Sequence, residues 1–354
     1  MEALPMRDTR NPLVWPIAAL AALLLINLVV SPSFFSIDVR NGQLYGNLID
    51  ILRNAAPTLL IAVGMTLVIA TRGIDLSVGA IVAIAGAVTC THIAGSSQPA
   101  SASTALVAMG MAIALCLALG VWNGFLVSVI GIQPIIATLV LMTAGRGLAM
   151  LITDGQIVTV NNPTFSKVGA GFVFGVPLAI LISGVVFAAV ALVVRRTALG
   201  LLIQAVGINP EASRLAGVRS RSIVWTVYVF VAICAAVAGL MIASNTKAAD
   251  ANNAGLFIEL DAILAVVIGG TSLAGGRFSL VGTAIGALFI QTLTTTVYAT
   301  GIPPETTLVF KAVVVIAVCL LQSPKARAVL VPRRRTSPPA AAPSAPTPTA
   351  PTGA

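Results

Sequence analysis

Apolar runs long enough to cross a lipid bilayer recur along nearly the whole chain, and they constrain its fold more than any other feature. A membrane-spanning helix needs about 20 apolar residues at 1.5 Å rise per residue. The 354 residues are 58% hydrophobic and 9% charged, whereas about a quarter of the residues in a soluble domain are charged. The sequence therefore predicts an all-α polytopic membrane protein. It excludes a membrane β-barrel, whose strands alternate in polarity over about ten residues.

The hydropathy pattern fits about ten transmembrane helices. They are predicted at 13–30, 55–71, 74–94, 104–130, 134–153, 177–194, 223–243, 260–276, 278–299 and 306–321. Short breaks at 71–73 and 275–277 divide two pairs of spans, so these elements are expected to be kinked or partly re-entrant, and eight spans is the alternative count. No small-residue cleavage site follows the first run, so we interpret it as a retained span rather than a signal peptide.

The distribution of Lys and Arg predicts the orientation of the chain. If both termini are cytoplasmic, 14 of the 20 basic residues lie inside, four lie outside and two lie within spans. Because cytoplasmic loops of inner-membrane proteins are enriched in Lys and Arg, this bias explains the net charge of +9 without nucleic-acid binding. Residues 195–222, which we call the basic segment, contain five arginines and are expected in the cytosol.

The chain is predicted to consist of one membrane domain with short ends. We divide it into a cytoplasmic N-terminus (1–12), a transmembrane domain (13–322) and a cytoplasmic Pro/Ala-rich tail (323–354) that is expected to be disordered. The sequence has no G-x-x-x-x-G-K-[ST] motif, and its single histidine, His92, has no Cys or carboxylate at ligand spacing. We therefore expect no catalytic residues, no metal site and no ATP hydrolysis by this chain.

Polar side chains within the predicted spans are candidates for a translocation pathway, because ionisable groups are costly at membrane depth and amides can bind a hydroxyl-rich solute. The candidates are Asp75, Asn123, Gln133, Arg146 and Gln291. Snorkelling, structural ion pairs and ordinary helix–helix hydrogen bonds are the alternative explanations. For Lys311, near the start of the last span, these alternatives are favoured over a functional role.

Glycine spacing within the spans predicts close helix packing. Gly282-x-x-x-Gly286 and Gly120-x-x-x-Gly124 place small residues on one helix face, which lets neighbouring backbones approach. We interpret the glycine-rich run 268–287 in the same way and not as a phosphate-binding loop, because it lacks the Lys-Ser/Thr ending of such loops.

Capping signals predict a short helix within the basic segment. Asn209 suits the N-cap, Pro210 suits the first helical position and Glu211 places an acid in the first turn. Gly217 is placed to end the helix. We therefore expect a helix of about two turns on the cytoplasmic face.

The residues of this short helix resemble a known family. Glu211, Ala212, Ser213 and Gly217 match the pattern E-A-A-x-x-x-G, with Ser for the second Ala, which is similar to the coupling loop of permease subunits from bacterial ATP-binding-cassette (ABC) importers. The stretches that carry the resemblance are GMTLVIATRGIDLSVGA (64–80), TALGLLIQAVGINPEASRLAGV (197–218) and ELDAILAVVIGGTSLAGGRF (259–278). They resemble the ribose/galactose/arabinose branch, and within it the galactofuranose permeases, over about residues 45–325. Arg72 stands where we expect Gly in those relatives, and its charge could pair with Asp75.

The resemblance implies a transport subunit of the bacterial inner membrane rather than an enzyme. It implies a cytoplasmic ABC ATPase docked on the helix from Asn209 to Gly217, a periplasmic sugar-binding protein and a second permease subunit, in a homodimer or a heterodimer. The chain itself would need no cofactor, because ATP and Mg²⁺ would be bound by the ATPase. A monosaccharide, galactofuranose or a related sugar, would cross by alternating access.

Two other classes of protein remain as alternatives. An ion-coupled secondary transporter or channel would carry paired intramembrane carboxylates or inverted repeats, and neither is evident in the sequence. A membrane anchor would need neither polar residues within its spans nor a capped cytoplasmic helix.

Overall fold

The computed structural model describes residues 13–30, 32–299 and 306–322. Within these ranges the chain forms thirteen α-helices and three two-stranded antiparallel sheets. The helices are α1 (Val14–Val30), α2 (Asn47–Ala70), α3 (Val78–Ala94), α4 (Ala102–Phe125), α5 (Pro134–Ile152), α6 (Pro163–Ala170), α7 (Leu178–Arg196), α8 (Leu199–Ile208), α9 (Pro210–Leu215), α10 (Ser220–Thr246), α11 (Ile258–Ile268), α12 (Leu280–Ala299) and α13 (Thr307–Gln322). The predicted N-terminal segment 1–12 and the tail 323–354 lie outside the described residues.

The sheets are short and connect loops rather than forming a core. The strands are β1 (Asp38–Arg40), β2 (Gln43–Tyr45), β3 (Val158–Thr159), β4 (Phe172–Val173), β5 (Val176–Pro177) and β6 (Ala248–Ala249). β1 pairs with β2 and β4 pairs with β5 as hairpins, while β3 pairs with the distant β6.

The helices confirm the predicted all-α polytopic architecture. Six helices in the described part of the chain are long and apolar enough to cross a membrane: α2, α4, α5, α7, α10 and α12. Helix α4 is extended by a π-helical turn over Leu126–Ile130. Helices α1, α3 and α13 are also apolar but have only 16 or 17 residues. This is near the shortest length that spans the hydrocarbon core.

The span predicted at 260–276 is wrong in its second half. Helix α11 ends at Ile268, and its 11 residues extend only about 16 Å, roughly half the thickness of the hydrocarbon core. Residues 269–279 then form an irregular loop. The helix stops because Gly269 and Gly270 follow it, and Gly270 adopts a positive φ of 85°. The break predicted near residue 72 is confirmed, because α2 ends at Ala70 and α3 begins at Val78.

Helices α2, α3 and α10 form the centre of the bundle, and α7 is the most exposed of the long helices. The predicted glycine contacts are confirmed. Gly282 of α12 lies against the Gly269 carbonyl and Gly286 lies against the Ala265 carbonyl, so a Cβ on either glycine would clash with backbone oxygen. Gly120 of α4 lies against Ala232 of α10, where an added Cβ would clash with the Ala232 methyl group. These small residues allow the helix backbones to approach closely without a large apolar side chain between them.

The loops gather at two ends of the bundle. At one end, Leu44 N donates to Gly175 O and Val160 N donates to Lys247 O, each at 2.9 Å. At the other end, Gly276 N donates to Ala70 O at 2.9 Å. The basic residues predicted outside (Arg40, Arg53, Lys167 and Lys247) belong to the first end. The basic segment belongs to the second end, which we call the basic end; that it faces the cytosol stays a prediction from the charge count.

Candidate functional site

The short helix predicted in the basic segment is α9. Asn209 Oδ1 accepts hydrogen bonds from Glu211 N at 3.1 Å and Ala212 N at 3.0 Å, so Asn209 is the N-cap, and Pro210 occupies the first helical position. Gly217 follows the helix with φ at +85°, a conformation that glycine adopts without steric cost. The capping prediction is therefore confirmed.

Helix α9 presents charge at the surface of the basic end. Glu211 Oε1 accepts a hydrogen bond from Arg214 Nη2 at 2.5 Å, and about two-thirds of each side chain is exposed. Ala212 is also exposed, whereas Ser213 is buried. Within the predicted docking motif, Asn209, Pro210, Glu211, Ala212 and Gly217 are thus exposed and available to another chain, and Ser213 is the buried member.

Arg72 connects the end of α8, just before α9, with the break between α2 and α3. Its Nε donates to Ala274 O at 3.1 Å, and its Nη2 donates to Ile208 O, one residue before the α9 cap. Arg72 does not form the ion pair with Asp75 that its charge could have allowed: the turn at Arg72 (φ 66°) directs the guanidinium towards these two carbonyls at the surface. The end of α8, which leads into α9, the α2–α3 break and the loop after α11 are thus joined by one side chain.

Asp75 instead belongs to a buried hydrogen-bonded cluster. Its Oδ1 accepts from Ser77 N at 2.9 Å and from Ser77 Oγ at 2.6 Å, and Ser77 Oγ accepts from Asn123 Nδ2 at 2.9 Å. All three residues are buried, as is Tyr228, whose hydroxyl lies beside Gly73 and has no hydrogen-bond partner among the described residues. The structure therefore brings Asp75 and Asn123 together, as parts of the packing around the break between α2 and α3.

Arg146, midway along α5, holds a second irregular segment in place. Its Nη1 donates to Ala251 O at 3.0 Å and to Ala254 O at 2.6 Å. Both carbonyls belong to residues 250–257, a run of turns between β6 and α11. Backbone without helical hydrogen bonds is tolerated at membrane depth only where protein or a water-filled cavity covers it. Arg146 supplies two of the missing donors.

The break between α2 and α3 and the turn segment 250–257 meet at the start of α3. A Cβ on Gly79 would lie 2.6 Å from the Gly255 carbonyl oxygen, and one on Gly255 would lie 2.8 Å from the Gly79 carbonyl oxygen. The carboxylate of Glu259, which is buried, lies against Gly79 in the first turn of α3. A negative charge is favourable at a helix N-terminus. Glu259 was not among the predicted site residues, and only its position within a polar run could have suggested it.

Gln133, Gln291 and Lys311 lie apart from the contact between Gly79 and Gly255. Gln133 is exposed and precedes α5, and Gln291 is half-buried on α12; in the described part of the chain no hydrogen bond links either amide to Asp75. Lys311 Nζ pairs with Asp261 Oδ2 at 2.9 Å, and both side chains are mostly buried. The structural ion pair favoured for Lys311 is therefore present between α13 and α11.

We expect Arg146→Met to destabilise the protein by about 2 kcal/mol, because it leaves two carbonyls of the 250–257 turn without donors. Methionine keeps the length of the side chain, so most of the effect reports the lost hydrogen bonds. Arg146→Lys, which retains an ammonium donor, is the matched control and is expected to recover at least part of the loss. Thermal unfolding of the purified protein measures both variants, and equal unfolding temperatures for wild type and Arg146→Met would contradict the assignment.

These features define a class of protein. A helical bundle with a capped helix exposed at one end, and with irregular segments meeting inside it, is the architecture of a membrane transport subunit. The described residues contain no group of three or more His, Cys, Asp or Glu side chains positioned to hold a metal ion.

Comparison with known proteins agrees with this class. The model of the family described as branched-chain amino acid transport system / permease component matches residues 47–319. The chain belongs to this permease family. It is 50% identical to the galactofuranose transporter permease protein YtfT of Escherichia coli (strain K12), over 90% of this chain and 92% of that protein. No solved structure matches.

Two further relatives are also sugar permeases. The fructose import permease protein FruF of Bifidobacterium longum is 41% identical over 88% of each chain. The ribose import permease protein RbsC of Escherichia coli (strain K12) is 39% identical over 87% of this chain and 92% of that protein. The chain is therefore a multi-pass inner-membrane transport permease, and its relatives are transport subunits rather than enzymes.

Proposed function

We propose that this chain is the permease subunit of an ATP-driven importer that moves a monosaccharide, galactofuranose or a closely related sugar, into the cytoplasm. The observation that carries the proposal is the exposed, capped helix α9, connected through the Ile208 carbonyl to Arg72 at the break before α3. The similarity to a galactofuranose permease over nine-tenths of the chain supports the choice of sugar.

The proposed partners follow from this arrangement. A cytoplasmic ABC ATPase, which would bind ATP and Mg²⁺, docks on α9 at Glu211 and Ala212, and a periplasmic sugar-binding protein delivers the sugar at the opposite end. Movement of α9 during ATP hydrolysis pulls on Arg72 and so on the α2–α3 break. This biases the bundle between inward-open and outward-open states. The chain itself needs no cofactor in this scheme.

A second permease subunit completes the pathway. Asn252 and Asn253 are exposed, yet they belong to the turn that Arg146 binds about 9 Å inside the end of α5. Exposed amides at that depth are costly against lipid. We infer that this face, with the exposed Thr143 and Ala144 of α5, lines a pathway shared with a second permease. Asp75, Asn123, Gln133, Arg146 and Gln291 remain proposed as residues that position or line it.

The proposal is tested by reconstituting the chain with its ATPase and sugar-binding protein in vesicles. We expect uptake of labelled galactofuranose that requires ATP and is insensitive to collapse of ion gradients. Ribose and fructose are the matched comparison substrates and are expected to enter more slowly. Uptake that continues without the ATPase, or that stops with an ionophore, would favour an ion-coupled transporter and reject the proposal.

A further inference from the structure

An apolar groove of about 320 Å³ lies between α7, α8 and α10 at the basic end of the bundle. Ala189 and Val193 of α7, Ile203 of α8 and Phe230 of α10 are among the side chains that line it. Thr226 is the one polar side chain among the described residues that line it, and its hydroxyl donates to the Ser222 carbonyl of its own helix. The described lining therefore offers no free hydrogen-bonding side chain.

The groove opens where the protein meets the membrane. Helices α7 and α10 are both apolar enough to span a bilayer, and α7 is the least buried of the long helices. Ala189 and Val193 are exposed on it. An apolar recess that faces lipid is filled at little cost by a hydrocarbon chain, because the chain exchanges one apolar environment for another and gains packing contacts.

Positive charge surrounds the mouth of this groove. Arg195 and Arg196 end α7 directly after the lining residues Val193 and Val194, and Arg219 is the N-cap of α10, four residues before the lining residue Ile223. All three arginines are exposed, and no acidic side chain in the described part of the chain forms an ion pair with them. Their charges are therefore available to an anion at headgroup level.

We propose that the groove binds one anionic phospholipid, with an acyl chain against α7, α8 and α10 and the headgroup phosphate at Arg195, Arg196 and Arg219. The charge complementarity selects a lipid over a helix of another subunit, which would have to bring carboxylates to the same place. Because α8 leads directly into Asn209, the bound lipid also fixes the base of α9. The site lies on the outside of the bundle, and its existence does not depend on which sugar is transported.

The test uses the complete transporter in nanodiscs of phosphatidylcholine to which phosphatidylglycerol is added, followed by native mass spectrometry of the retained lipid. Each arginine at an anionic surface is worth about 1 kcal/mol, so Arg219→Gln is expected to weaken retention about fivefold and the double variant Arg195→Gln/Arg196→Gln about 30-fold. Arg221→Gln is the matched control for charge, because Arg221 lines a different cavity on another face of α10. It is expected to leave retention unchanged.

A second pair of variants tests the groove itself. Ala189→Phe fills the groove and is expected to abolish retention, whereas Ala188→Phe, at the neighbouring exposed position outside it, is expected to have no effect. Equal losses for Arg219→Gln and Arg221→Gln would overturn the proposal in favour of unspecific surface charge. Competition by inorganic phosphate would indicate a site for the anion alone. Dissociation of the permease pair by Ala189→Phe, with no lipid retained by wild type, would make the groove a subunit interface.

Discussion

Gly79→Ala is expected to lower the stability of the permease by about 2–3 kcal/mol, at the upper end of the cost of overpacking a core, and to abolish transport. The added methyl would lie less than 3 Å from both the Gly255 carbonyl oxygen and the Glu259 carboxylate. The Gly255 carbonyl is backbone and cannot move easily, because Gly255 is held in the turn that Arg146 binds. The contact between the two irregular segments would therefore open.

Gly110→Ala is the control for this change. Gly110 lies in α4, and a Cβ at that position would meet no atom within 4 Å. Alanine there is expected to be neutral or to stabilise the helix by up to about 1 kcal/mol. Thermal unfolding in detergent and uptake into vesicles measure both variants. If Gly79→Ala unfolds at the same temperature as Gly110→Ala, the close approach of the two segments is not a determinant of stability.

Glu211→Arg is expected to reduce ATP-driven uptake at least about 30-fold while leaving the amount of inserted protein unchanged. Loss of one partner of a charged pair in an interface costs about 2–5 kcal/mol, and the substituted arginine would also repel Arg214. Insertion is expected to be unaffected because the Glu211 side chain is about two-thirds exposed at the basic end. ATPase binding to the purified permease is expected to weaken in parallel with uptake.

The charge-exchanged double variant Glu211→Arg/Arg214→Glu separates two explanations. It retains an ion pair within α9 but exchanges the positions of the two charges. If Glu211 docks on the ATPase, the double variant stays uncoupled. If Glu211 serves only to stabilise α9 through Arg214, uptake recovers, and the proposed docking role is wrong.

Local features of the chain were predictable from sequence because they depend on neighbouring residues. The cap at Asn209, the end at Gly217 and the break before α3 follow from backbone preferences within a few positions. The packing of Gly282 and Gly286 was predictable for the same reason, since both lie on one helix face.

Contacts between distant segments were not predictable. Arg146 and its carbonyl acceptors are separated by more than 100 residues, and nothing in the local pattern around either indicates the other. An ion pair between Arg72 and Asp75 does not form, because nearness in sequence does not fix the direction of a side chain in a turn. Glu259 was missed because its role depends on the start of α3, 180 residues earlier.

The short length of α11 has a consequence for how the chain is assembled during synthesis. Eleven residues with Glu259 and Asp261 in the first turn make a poor insertion signal, because acidic residues oppose partition into the bilayer and the helix cannot span it. Among the described residues, the ion-pair partner of Asp261 is Lys311, fifty residues later in α13. Insertion of α11 is therefore expected to depend in part on α13, which is synthesised after it.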